Sequence, residues 1–232
     1  MQRTLPVFLK THRSELPLIT LIAAMLSSPL IDHHPRIGGL IAIIQLLLLL
    51  VGAHYIADQR ILRRVALPVG LLWLSARLLE AFGDPRHGYT HLAPLAGLAL
   101  SCAILWALMR RLGSVAKVTS SIISEAIISY LIIAVAFSQL YWILDHFIPN
   151  AFNHTLALGQ TETFLYFSMI TLSGVGYGGI LPINPYIRLV AAFENITGLF
   201  YLALVISRLV SSYRPRTLPP DIPSEHASEP PE

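Results

Sequence analysis

The chain has 232 residues, of which 54% are hydrophobic and only 12% charged, with a formal net charge of +3. That is a membrane composition rather than that of a soluble domain, and no cluster of Lys and Arg offers a nucleic-acid face, so no nucleic-acid partner is expected. The single cysteine, Cys102, lies inside an apolar run, which excludes a disulfide framework within one chain and leaves a packed or lipid-facing small side chain.

Residues 1–15 carry Arg3, Lys10 and Arg13 ahead of an apolar run, Leu16–Ile31, that contains Pro17 and Pro29. A signal peptide also begins basic and turns apolar, but Asp32-His33-His34-Pro35-Arg36 follows in place of a small-residue cleavage site. Ile37–Tyr55 has the length and composition of a span. Val65–Phe82 is the next apolar segment; Arg77 and Glu80 near its end are three apart and can pair on one helical face. Leu92–Met109 is the fourth span and stops at Arg110-Arg111. A voltage sensor needs basic residues carried through the membrane field; the interior of this segment has none, so no conventional sensor is expected.

Ile122–Leu144 is the fifth span. Thr161–Thr171, at about 11 residues, is too short to cross a bilayer and reads as a re-entrant helix. After it comes Thr171-Leu172-Ser173-Gly174-Val175-Gly176-Tyr177-Gly178-Gly179. Glycines at alternate positions allow backbone angles that turn successive carbonyls toward one axis, and rings of such carbonyls can replace the water around a cation. A glycine-rich interhelical turn or an anion-binding nest is the alternative. Pro182 and Pro185 are expected to break the chain before the last span, Leu189–Val210, and the Pro-rich stretch beyond Tyr213 cannot bury a core.

The expected fold is therefore an all-α membrane protein with six transmembrane helices, and with the short helix and glycine loop between the fifth and sixth. Its divisions are a cytoplasmic N-terminus (1–15), a four-helix membrane domain (16–113), a pore domain (114–212) and a disordered tail (213–232). Most of the 16 Lys and Arg, among them Arg60, Arg63, Arg64, Arg110, Arg111 and Lys117, fall on the side of the termini. The positive-inside rule then puts both termini in the cytoplasm of a cell inner (plasma) membrane. His33, His34, His87 and His91 fall on the outer face, where His87 and His91 could form a metal pair if helical; no dedicated side-chain metal site is expected. The tail leaves no room within it for a nucleotide- or calcium-binding gating domain.

From Tyr166 to Leu209 the sequence resembles the pore module of the potassium channel family. Tyr166 to Ser173 is similar to the end of a pore helix with an aromatic pair behind the filter, and Val175-Gly176-Tyr177-Gly178 matches the filter core. Pro182, Arg188 and Gly198 fall at spacings similar to the post-filter turn, the inner-helix start and the hinge glycine. The resemblance implies a passive, potassium-selective channel, a homotetramer in the lipid bilayer, with potassium as the permeant ion, no cofactor and no enzymatic turnover. With no room for a gating domain in the tail, regulation is expected through the membrane, the first four spans or a separate protein. Gly174, Val175, Gly176, Tyr177 and Gly178 would supply the carbonyl rings. Tyr166, Phe167, Thr171, Ser173 and Glu194 would support them, with the Tyr177 ring packing on an aromatic cuff that includes Tyr166 and Phe167. The C-terminal end of the short helix would favour a cation in the cavity. Two positions depart from the family: Gly174 where a threonine hydroxyl is usual, and Gly179 where an aspartate usually ties the loop to the short helix. Both predict a less rigid loop and open the readings of a weakly selective cation channel and of a non-conducting sensor or subunit. Glu194, buried in the last span, reads as a hydrogen-bonded brace or as an electrostatic group near the ion path. Gly198 is the expected hinge, and Leu202, Val205 and Leu209 a constriction or ordinary interhelix packing.

Overall fold

The computed structural model describes residues 16–27, 67–82, 92–114, 120–153 and 160–212. Six helices run through them: α1 Leu16–Leu26, α2 Leu67–Phe82, α3 Leu92–Ser114, α4 Ser120–Phe147, α5 Gln160–Leu172 and α6 Pro185–Ser212. Three are long and apolar enough to cross a bilayer, over Leu92–Arg110, Ile122–Phe147 and Pro185–Arg208. The expected span Ile37–Tyr55 and the four outer histidines lie outside the described residues. The helices α1 and α2, at 11 and 16 residues, are short of the ~20 that a bilayer core requires.

The helix α5, with 13 residues, rises about 20 Å, two thirds of the ~30 Å hydrocarbon thickness. It lies against α4 and α6. The last helix begins at Pro185, earlier than the prolines suggested. Proline lacks only an N–H that would be unpaired at a helix start, so it opens the helix rather than excluding it. The preceding Asn184 accepts the Tyr186 N–H through its side-chain oxygen at 2.9 Å, a helix N-cap.

The core sits where α4, α5 and the flanking loops meet. Tyr141, Phe152, Phe164 and Phe167 are all buried there with Ile180 and Ile187. Their rings meet edge to face, Tyr141 on Phe167 at 4.9 Å and Phe152 on Phe167 at 5.3 Å between centroids, the geometry aromatic quadrupoles favour. A second cluster, Leu21, Leu108, Ile128 and Ile132, fixes α1 and α3 to α4. Arg77 places its guanidinium over the Trp73 ring at 6.0 Å; the Glu80 side chain lies outside the described ones. Cys102 is exposed on α3.

Candidate functional site

The loop after α5 is built by its glycines. Gly174, Gly176, Gly178 and Gly179 have φ of 74°, 60°, 91° and 94°, while Val175 and Tyr177 stay at negative φ. Only glycine occupies such angles without steric cost. From 174 to 178 the hands alternate, which gathers successive N–H groups on one side.

The N–H groups of Gly174, Val175 and Gly176 turn toward α5. The N–H groups of Val175 and Gly176 both donate to the Ile170 carbonyl, at 3.0 and 3.1 Å, and that of Gly174 donates to Thr171 at 3.0 Å. Every peptide here is trans, so each C=O points opposite to the N–H of the next residue. The carbonyls of Gly174 and Val175 therefore point away from α5. No hydrogen bond among the described residues uses them, and the loop surface is exposed. An anion nest over residues 174–176 would need their N–H groups, and Thr171 and Ile170 already accept all three.

The same bonds finish α5. A helix leaves its last carbonyls without intrahelical donors, and here each finds one. Ser173 donates to Met169 through its backbone N–H and its hydroxyl, at 3.1 and 2.7 Å. Thr171 also accepts the Asn195 amide at 2.9 Å, and Leu172 accepts the Tyr130 hydroxyl at 3.2 Å. The helix end whose dipole is expected to favour a cation thus has its last carbonyls bonded by protein donors.

Glu194 is fully buried and binds two hydroxyls from other helices. Tyr141 of α4 donates to its Oε2 at 2.6 Å, and Ser168 of α5 contacts its Oε1 while also lying 2.8 Å from the Ala134 carbonyl. One carboxylate so joins α4, α5 and α6, and among the described residues its burial is compensated by hydrogen bonds rather than by a counter-charge. Four residues on, Gly198 faces the end of α5: a Cβ there would fall onto the Leu172 carbonyl oxygen, far inside van der Waals contact. Its place is a close helix crossing within an unbroken helix.

Three expectations meet a different geometry. Tyr166 and Phe167 do not form one pair, because neighbours in a helix face different ways: Phe167 is buried against Tyr141 and Phe152, whereas Tyr166 is exposed. Tyr177 is 80% exposed and so packs on no cuff among the described residues of its own chain. The Gly178 carbonyl lies 3.4 Å from the Tyr166 hydroxyl, which donates to it. The outermost expected ring member thus turns toward α5, where two consecutive positive-φ residues, Gly178 and Gly179, end the alternation. Thr171 is half-buried and serves through its carbonyl; Leu202 is 40% exposed, Val205 half-buried, and the Leu209 side chain lies outside the described ones.

The loop's far end joins Pro182 and Arg188, which the sequence marked, to Ala151, Phe152 and Asn153, which carried no sequence signal. Phe152 and Pro182 form an isolated antiparallel bridge. Around it Asn153 N–H donates to Leu181 at 3.0 Å, Leu181 N–H donates to the Asn153 side-chain oxygen, and Ile183 N–H donates to Ala151 at 2.8 Å. Arg188 Nε donates to the Pro182 carbonyl at 3.0 Å. Pairing of an asparagine far upstream with a loop has no local periodicity to reveal it. The tether expected of an aspartate at 179 is supplied from the other side.

A short helix between two apolar spans, followed by a loop whose Gly174 and Val175 carbonyls point away from it, is a membrane-protein arrangement that leaves backbone oxygens unbonded among the described residues. Residues 125–214 match a family model described as ion channel, and the stretch that resembles the potassium channel family lies within that match. No curated protein and no solved structure matches the chain.

Proposed function

We propose that the chain is a passive potassium-selective channel whose ion path is lined by the carbonyls of the loop after α5, in a homotetramer. The observation that carries this reading is the division of the loop's polar groups: N–H groups engaged by Ile170 and Thr171, carbonyls of Gly174 and Val175 unbonded and pointing away. One chain supplies one such loop, and a cage around an ion needs several about an axis; rotational symmetry supplies them. In this reading six spans place both termini in the cytoplasm of the plasma membrane, with the loop re-entering from outside. Glu194, Tyr166, Phe167, Thr171 and Ser173 support it, Gly198 sets the helix crossing, and Leu202, Val205 and Leu209 line the inner end.

A weakly selective cation channel is the second reading, favoured by the Gly178 carbonyl turning to Tyr166, which leaves fewer carbonyls for the ion. Purified chain in liposomes with opposed potassium and sodium gradients tests both. Potassium flux in clear excess of sodium flux is expected; equal permeability selects the second reading, and no flux from a folded tetramer rejects both.

A further inference from the structure

The space beside Gly174 is occupied from another helix. A Cβ at position 174 would sit 3.3 Å from Nδ2 of Asn195, which reaches over from α6 to donate to the Thr171 carbonyl at 2.9 Å. That bond settles which end of the amide faces α5. Only the NH2 group can approach a carbonyl, so Oδ1 lies on the other branch of the amide. Oδ1 makes no hydrogen bond among the described residues, and the side chain is half-buried. An acceptor held in place through its own nitrogen and left without a donor is suited to a ligand that brings positive charge.

Its neighbours suit the same ligand. Gly174 carries a carbonyl that points away from α5 and no side chain that could shield the amide. Any larger residue at 174 would contact the Asn195 amide and would adopt a φ of 74° unfavourably. Resting on the channel reading above, we propose that Asn195 is a specificity-determining residue, its amide oxygen serving as a ligand for a permeant monovalent cation at the inner end of the loop beside the Gly174 carbonyl. In a homotetramer four such oxygens form a ring. Hard cations that shed water take neutral oxygen ligands of this kind in place of it. The glycine at 174 and the asparagine at 195 then act as one unit, the first making room for the second.

A purely structural Asn195 would only cap α5. The two roles separate in the response to barium, a cation with twice the charge, applied to the full chain in planar bilayers from the side of the inner loop end while potassium current is recorded. Asn195→Asp loses the donor to Thr171 but adds a negative charge, and it is expected to lower the half-blocking barium concentration about tenfold or more, since charges a few ångströms apart attract strongly near a protein interior. Asn195→Ala is expected to raise it, and Asn195→Ser, which keeps an oxygen, to fall between wild type and Ala. If Asp and Ala shift the block in the same direction, or neither shifts it, Asn195 is a cap and the proposal is overturned. Should the Asp variant not assemble, Ser against Ala decides, and equal block by those two overturns it. Absence of current from the wild-type chain rejects the channel reading itself; wild-type current with unaltered block rejects the Asn195 assignment alone.

Discussion

The helices α4 and α6 are each 28 residues long and strongly apolar, yet the chain treats them differently. Within their spans 44% of α4 is buried against the rest of the chain, and only 11% of α6. The helix α4 is wrapped by α1, α3 and α5. In contrast, α6 touches the chain along one stripe, Ile187, Glu194, Gly198 and Tyr201, spaced three, four or seven apart, and exposes Phe193, Phe200, Leu204 and Ile206. In lipid, apolar surface alone does not distinguish a packed face from a bare one, whereas small and polar residues do. The stripe on α6 is marked by a carboxylate, a glycine and a tyrosine. Tyr201 donates to the Ala126 carbonyl at 2.7 Å and lies against Tyr130, centroids 5.7 Å apart.

The strongest way to break the comparison is to pull α6 off its stripe. Gly198→Ala places a methyl against backbone that cannot rotate aside, and a loss of about 3 kcal/mol or more in reversible detergent unfolding is expected, together with loss of flux. Removal of the carboxylate comes next. Glu194→Ala strands the buried Tyr141 hydroxyl, leaves Ser168 only the Ala134 carbonyl and is expected to cost about 2–3 kcal/mol in the same measurement, and Glu194→Gln, which keeps an acceptor, less than about 1.5 kcal/mol. If Ala and Gln prove equal, the hydrogen bonds do not hold the junction.

Gly174→Thr tests the loop itself. The family's residue is expected to destabilise by about 1–2 kcal/mol, because position 174 is left-handed, and to leave the potassium-to-sodium permeability ratio no higher than in wild type. A raised ratio with unchanged melting would show that the glycine is tolerated rather than required. Tyr141→Phe, which removes one of two donors to Glu194, is expected to cost about 1 kcal/mol. The smallest effect on the fold belongs to the bare face. Phe200→Ala with Leu204→Ala is expected to change unfolding by no more than about 0.5 kcal/mol while shifting cross-linked protein from tetramer to monomer. Retention of the tetramer would assign that face to lipid.

The elements that depend on local pattern were readable from the sequence. The length of each apolar run gave α3, α4 and α6, and the shortness of 161–171 set α5 apart. The glycine spacing announced the loop's backbone hand. What could not be read is the set of bonds between a side chain and a distant main-chain group: Asn195 to Thr171, Tyr130 to Leu172, Asn153 to Leu181. Such pairs join different elements and leave no periodicity. The separation of Tyr166 from Phe167 was foreseeable from helix geometry alone, because residues one apart never share a face. The early start of α6 followed from the Asn184-Pro185 pair, a helix-opening signal that stands beside the chain-breaking one.

The bridge between Phe152 and Pro182 has a mechanical consequence. With residues 173–176 bonded to the end of α5 below and Leu181 clipped to Asn153 above, the backbone from 177 to 180 is strung between two fixed posts. A peptide plane within it can rotate without moving either post, so a rearrangement there stays local and requires no displacement of α6. Loosening the upper post, by contrast, lets the whole string sag at once.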